Sequence, residues 1–315
     1  MDTRLPLDGR ALGLMVFICF LFSTQQVVLK GTADDIAPIM QIGFRSGLAA
    51  VMIAALMVKE GAALRPVLRV WRGGLVAGLL FALEFILLAE GLRHTSAAHA
   101  VIFLYSAPIF AALGLHWKLP SERLALLQWG GIALAFGGIA VAFLVPTSGV
   151  ETTASLYGDL LCLLAGLFWG TTTVVIRSTG LSNLPAKPTL LYQLLTAAVI
   201  LPLTGWIMGD AGLSWTPQVI AGLAYQAIMV SFSAMLLWFW LLRHYLASRI
   251  GVLSFLTPMF GVLLGAVLLN ETLELPFIIG SLMVTGGIVL VSGESILRSR
   301  KAAPAATQPC QSEAP

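Results

Sequence analysis

Ten stretches of this chain stay apolar for about the 20 residues that a helix needs to cross a bilayer. They cover residues 11–29, 37–58, 73–92, 96–115 and 124–145, then 160–176, 188–208, 218–242, 247–269 and 275–291. Charges and turn formers close them: Lys30 with Asp34 and Asp35, Lys59 with Glu60 and Gly61, Pro120 to Arg123, and Gly209 with Asp210. The pattern predicts an all-α integral membrane protein of ten transmembrane helices. The first stretch is read as a retained helix rather than a secretory signal. It is long enough to span, carries Ser23, Thr24, Gln25 and Gln26 near its far end, and lacks a small-x-small cleavage site. Residues 301–315, rich in Ala, Pro, Gln and Ser, are expected to form a disordered cytoplasmic tail.

The basic residues orient the chain, because cytoplasmic loops retain Lys and Arg. With the amino terminus inside and ten crossings, fifteen of the 18 Lys and Arg residues fall on the inner side. Lys30 and Arg93 fall outside and Arg45 lies within a span. Both termini are therefore expected in the cytoplasm, with the protein in the plasma membrane (a bacterial inner membrane).

Composition agrees and narrows the classes. The 315 residues are 58% hydrophobic and only 10% charged, with a mean hydropathy of +0.92. An ordinary soluble domain is about a quarter charged. Ten spans leave no room for a sizeable soluble domain. The three cysteines, Cys19, Cys162 and Cys310, show no metal or disulfide spacing. No metal site, cofactor, nucleic-acid partner or obligatory protein partner is expected.

The two halves resemble each other in order. Phe103 to Pro108 matches Ser254 to Pro258, proline on proline; Glu122 matches Glu271, Gly131 matches Gly280, and Gly137-Gly138 matches Gly286-Gly287. Leu92-Arg93-His94 matches Leu242-Arg243-His244, and Phe44-Arg45 matches Tyr192-Gln193. The predicted units are residues 11–145 and 158–293. Five helices per unit is an odd number, so the second copy enters from the opposite side. Inverted repeats of this kind recur in transporters, where they expose a central site alternately to the two sides.

An aromatic-x-x-Pro helix, a Glu after a short turn and a Gly-Gly helix, each present twice, resemble the EamA-type branch of the drug/metabolite transporter superfamily. Here these are Tyr105 to Pro108, Glu122 and Gly137-Gly138, then Phe255 to Pro258, Glu271 and Gly286-Gly287. The resemblance runs from about Leu14 to Val291. It implies secondary active export of amino acids or other small metabolites, coupled to a proton or ion gradient. Glu90 departs from the family pattern, which has an uncharged residue there, as this chain's own Trp240 does in the second half.

Ionisable groups inside the hydrocarbon are costly and so are functional candidates. Arg45 and Glu84 each lie about eight residues, roughly 12 Å, from the outer end of successive antiparallel helices. Equal depth makes them a candidate ion pair, structural or substrate-binding. Glu90, about 120° around the helix from Glu84, is expected to face inward near the outer mouth. Its repeat partner Trp240 falls on a seven-residue stripe with Gln226 and Ser233. Phe22, Gln25 and Gln26, echoed by Trp169, Thr172 and Thr173, place an aromatic and two hydrogen-bonding groups on one helix face, which suits a small amphipathic substrate. Tyr105 before Pro108 has a similar claim, and Gln193 is the neutral repeat partner of Arg45. His99, at the start of the fourth stretch, reads as an interfacial residue or a proton relay.

A multidrug exporter is the alternative within transport, although the first helix lacks the acidic residue of small drug pumps. An intramembrane enzyme needs clustered nucleophiles or metal ligands. The four histidines, His94, His99, His116 and His244, instead lie near the membrane ends, and no HExxH or GxSxG sequence occurs.

Overall fold

The computed structural model describes residues 9–62, 64–119, 123–144, 153–210, 212–244, 253–254, 256–270, 273 and 275–302. Among them there is no β-strand, only an isolated antiparallel bridge between Ile36 and Leu213. The first half holds α1 (Gly9–Gly31), α2 (Pro38–Lys59), the short α3 (Leu64–Arg69) and α4 (Trp71–His94). It continues with α5 (Ala97–Leu104), α6 (Ala107–Lys118) and α7 (Leu126–Leu144). The second half opens with α8 (Thr153–Ser178), a 3-10 turn (Gly180–Asn183), α9 (Ala186–Ile207) and α10 (Pro217–Tyr225). A π-helical segment (Gln226–Ala234), α11 (Met235–His244), α12 (Leu256–Leu268) and α13 (Leu275–Ala302) complete it.

Seven helical runs among the described residues are long and apolar enough to cross a membrane, and three shorter apolar helices accompany them. This is the build of a multi-pass membrane protein. A helix satisfies its own backbone, which hydrocarbon cannot do for it. Exposed side chains along the runs are correspondingly apolar, among them Val51, Val199, Leu203, Leu263 and Leu282. Phe103, Met15, Ile18, Leu29 and Ile42 are wholly buried between helices.

Local sequence sets the ends. Pro38 and Pro217 open α2 and α10, where a missing amide costs nothing. Ser96 accepts the His99 amide at 3.1 Å to cap α5, and Thr216 accepts that of Val219 at 3.3 Å to cap α10. Gly61 and Gly209, at φ +63° and +81°, end α2 and α9 in the left-handed region.

Two of the predicted helices are interrupted. The fourth stretch breaks at Tyr105-Ser106, ahead of Pro108, into α5 and α6. Proline removes an amide and clashes with the preceding turn. The carbonyl of Phe103 instead accepts the Ser106 hydroxyl at 2.6 Å. Methyl groups at Gly166 of α8 would stand 2.8 and 2.9 Å from the Phe103 and Leu104 carbonyl oxygens, so α8 covers the break. The eighth stretch widens into the π segment between α10 and α11. Its i→i+5 turns hold more residues than the 3.6 of an α-helix. The expected stripe of Gln226, Ser233 and Trp240 is therefore lost: Gln226 is fully buried while Ser233 and Trp240 are half-buried.

Small residues set the closest helix approaches, as expected where van der Waals packing drives association. A methyl group at Gly138 of α7 would stand 2.6 Å from the Gly280 carbonyl oxygen of α13, and one at Gly287 of α13 would meet the Gly131 carbonyl of α7. Gly43 of α2 lies against Pro202 of α9, and Gly91 of α4 against Gly158 and Cys162 of α8. Gly261 of α12 lies against Val101 of α5. The contacts also come in exchanged pairs. As α1 packs on α12, α8 packs on α5 and α6; as α4 packs on α8 and α9, the π segment packs on α1 and α2. The motif carboxylates Glu122 and Glu271, Phe255, and the expected tail from residue 303 onward lie outside the described residues.

A buried polar centre and candidate functional site

Arg45 projects from the middle of α2 and is 3% exposed. Its Nη1 donates to Gln226 Oε1 at 2.9 Å, at the start of the π segment. Its guanidinium carbon lies 5.1 Å from the Phe85 ring centre on α4, within cation–π range. Glu84, next to Phe85, is also buried and interacts electrostatically with Arg45. Among the described residues no direct ion pair joins the two. The expected partner of Arg45 was Glu84; the hydrogen-bonded partner is Gln226.

Glu84 also acts electrostatically on Tyr105, which ends α5 at the helix break. The Tyr105 ring meets Trp169 of α8 edge-on at 5.1 Å. Its hydroxyl and the Cys19 thiol of α1 both approach Thr257 of α12. Seven structural units thus meet at one buried centre: α1, α2, α4, α5, α8, α12 and the π segment. Its hydrogen bonding is incomplete. Arg45 Nε, Glu84 Oε2, Gln226 Nε2 and, on α1, Gln26 Oε1 are buried polar atoms without a hydrogen-bond partner among the described residues. Each such group carries a desolvation cost unless something pairs with it.

The other predicted site residues are spread more widely. Gln25 is buried beside Gln26, while Phe22 is half-buried and packs against the buried cluster that holds Met15, Ile18, Cys19 and Ala234. Thr172 spends its hydroxyl on its own helix, donating to the Phe168 carbonyl at 2.9 Å. Gln193 is buried on α9. Trp240 carries Arg10 over its ring at 5.7 Å. Glu90 sits at a helix end, 3.0 Å from His94 and 3.6 Å from Arg93, and Arg93 in turn meets Asp210 at 2.6 Å. That is a partly exposed charge cluster, separate from the buried centre.

A second buried carboxylate, Asp159 of α8, is 1% exposed and was not among the expected site residues. It accepts from the Thr95 hydroxyl and lies 2.9 Å from His99 Nδ1. The His99 ring stacks on Phe277 of α13 at 3.8 Å. Lys30 Nζ donates to the Leu92 and Thr95 carbonyls at 2.5 and 2.8 Å. This cluster ties the ends of α1, α4, α5, α8 and α13 together. No group of His, Cys, Asp and Glu able to hold a metal ion occurs among the described residues.

The chain is 25% identical over 302 residues to the uncharacterized transporter YvbV of Bacillus subtilis (strain 168), covering 95% of this chain and 96% of that one. It is 25% identical to the uncharacterized inner membrane transporter YedA of Escherichia coli (strain K12), covering 86% and 85% of the two chains. One crystal structure superposes with a TM-score of 0.66 over 94% of this chain and all of its own, at 18% identity, which establishes likeness of fold. The family model of EamA-like transporters matches twice, over residues 9–144 and 156–293. With nearly every described residue covered by those two matches, the chain belongs to the EamA-like transporter family.

Proposed function

We propose that this protein is a secondary active transporter that exports a small metabolite, an amino acid or a related compound, by alternating access coupled to a proton or ion gradient. The observation that carries the reading is the buried centre with unpaired groups of both signs. Among the described residues, Arg45 Nε and Gln226 Nε2 are donors without acceptors, and Glu84 Oε2 is a carboxylate oxygen without a donor. A zwitterion complements that set. Its carboxylate suits the planar guanidinium fork, its ammonium suits Glu84, and Phe85, Tyr105 and Trp169 offer apolar walls.

In this reading ten transmembrane helices form two inverted five-helix units, residues 11–145 and 158–293, with both termini in the cytoplasm. The exchanged helix contacts and the reciprocal glycine approaches of α7 and α13 support it. So does the sidedness of the loops: Glu60 meets Lys187 at 2.5 Å, while Arg93 meets Asp210. An end of α2 and an end of α4 thus each meet an end of α9, which supports the pairing of loops read from the basic residues.

Counterflow in proteoliposomes tests the proposal. Purified protein is expected to exchange an external labelled amino acid for an internal unlabelled one, saturably and without an imposed gradient. The double variant Arg45→Gln with Glu84→Gln is expected to fold and lose exchange. Folded wild-type protein that exchanges no member of a zwitterionic panel would overturn the substrate assignment.

A further inference from the structure

Away from the buried centre, a cleft of about 410 Å³ opens at one end of the helices, where α3 passes into α4. Arg69, Trp71, Arg72 and Gly73 line one wall, and Thr179 and Gly180, in the turn after α8, line the other. We propose that this cleft binds the phosphodiester of an anionic phospholipid headgroup. The proposal is independent of which solute the protein moves.

The charge and the donors both favour a phosphate. Two arginines line the cleft, the Arg72 guanidinium lying 5.6 Å from the Trp71 ring centre, and among the described residues no acidic one does. Trp71, Arg72 and Gly73 form the first turn of α4, whose leading amides have no acceptor within their own helix. The residue before that turn, Val70, supplies no side-chain cap. The positive end of a helix dipole therefore faces an uncapped opening. A second observation comes from the opposite wall. Thr179 Oγ1 is a buried hydroxyl with no hydrogen-bond partner among the described residues, and a methyl group at Gly73 would stand 3.3 Å from it. An unpaired hydroxyl thus sits against the uncapped turn, on the wall facing the two arginines.

The walls are held in place before anything binds. Tyr192 of α9 donates its hydroxyl to the Val67 carbonyl of α3 at 3.0 Å. Val70 packs directly on Gly180. A lipid is favoured over a soluble phosphate by what surrounds the cleft. Leu68 and Trp71 are 65% and 51% exposed beside it, and indole rings settle at the headgroup level of a bilayer. The cleft lies between the start of one membrane-crossing helix and the end of another, where basic pockets take up anionic headgroups.

The test is native mass spectrometry of the full chain in detergent micelles doped with phosphatidylglycerol or with phosphatidylcholine. Wild-type protein is expected to retain phosphatidylglycerol saturably and in preference to phosphatidylcholine. Replacing Arg69 and Arg72 together by Gln should weaken that retention about 30-fold. A control that removes two basic charges elsewhere, Lys59→Gln with Lys118→Gln, should leave it unchanged. Thr179→Val, which keeps shape and loses the hydroxyl, should weaken it several-fold and carries the test if the arginine variant does not fold. Equal loss in the lysine control would reduce the effect to diffuse surface charge and overturn the proposal. So would equal retention of the two lipids. Binding of inorganic phosphate or glycerol phosphate without any lipid preference would reassign the cleft to a soluble phosphate ester.

Discussion

Arg45 in the middle of α2 donates to Gln226 at the residue where the α10 helix widens into π geometry, and both side chains are buried. The bond joins the first half of the chain to the second across 181 positions of sequence. It gives the guanidinium one neutral acceptor, beside the Phe85 ring and within the field of Glu84. A buried charge held this loosely is costly in a bilayer, and that cost makes the centre a place where a bound solute gains much by completing the set.

Arg45→Ala leaves the Glu84 carboxylate without its nearby cation and the Gln226 amide without its donor. The expected loss of stability is about 3–5 kcal/mol, read as a lower thermal unfolding temperature in detergent. Arg45→Gln combined with Glu84→Gln removes both charges and should recover most of it. An Arg45→Ala protein as stable as wild type would show that the guanidinium and the carboxylate each reach water on their own.

The α7–α13 seam gives a steric prediction. Leucine at Gly138 must displace the backbone of Gly280 and Val284, because even a methyl group would approach them to 2.6 and 2.8 Å. Overpacking of this kind costs about 1–3 kcal/mol or more. Gly13→Leu is the control, since nothing lies within 4 Å of its added methyl. Unfolding temperatures should fall for Gly138→Leu and stay level for Gly13→Leu.

Asp159 accepts from Thr95 and faces His99. Asp159→Ala strips both partners inside a buried site and should destabilise by about 1–3 kcal/mol. Asp159→Asn keeps one acceptor oxygen and should cost less. Hydrogen exchange at the ends of α4 and α8 is the local readout, with faster exchange expected in the alanine variant. Unchanged exchange there would mean that glycine packing of Gly91 on Gly158, rather than the carboxylate, holds the ends together.

Sidedness is checked by reporter fusions. Fusions after Gly61 and Ser182 should report the cytoplasm, and one after Thr152 the outside. The Glu60–Lys187 contact brings the first two loops to the same end. That pair is largely exposed, at 46% and 29%, so breaking it with Lys187→Gln should change stability by less than about 1 kcal/mol. A cytoplasmic signal from the Thr152 fusion would overturn the ten-helix inverted arrangement.

The existence of the helices was legible from the chain, because an apolar run in hydrocarbon has no alternative to satisfying its own backbone. Seven of the ten expected stretches hold helical runs long and apolar enough to cross a membrane, and the other three hold shorter apolar helices among the described residues. The close packing of Gly138 and Gly287 has a sequence signal in the two Gly-Gly pairs, since a side chain of one hydrogen has few other uses on an apolar face. Asp159 was missed for a related reason. The apolar run begins at Leu160, so the carboxylate reads as part of a loop, yet α8 starts at Thr153 and carries it into the helix. Thr153 and the apolar Leu156 and Tyr157 ahead of it were the available signal.

Which groups meet was decided by tertiary structure alone. Depth in the membrane can be counted along a helix, and it put Arg45 and Glu84 level with each other. The rotation of each helix about its axis cannot be counted across a π segment, because the wider turn resets the phase of every residue after Gln226. A regular 3.6-residue period placed Gln226, Ser233 and Trp240 on one stripe; packing of the π segment on α2 turned Gln226 onto Arg45 instead. The chain determined what had to be buried in each helix, and only the packed helices determined which buried groups found one another.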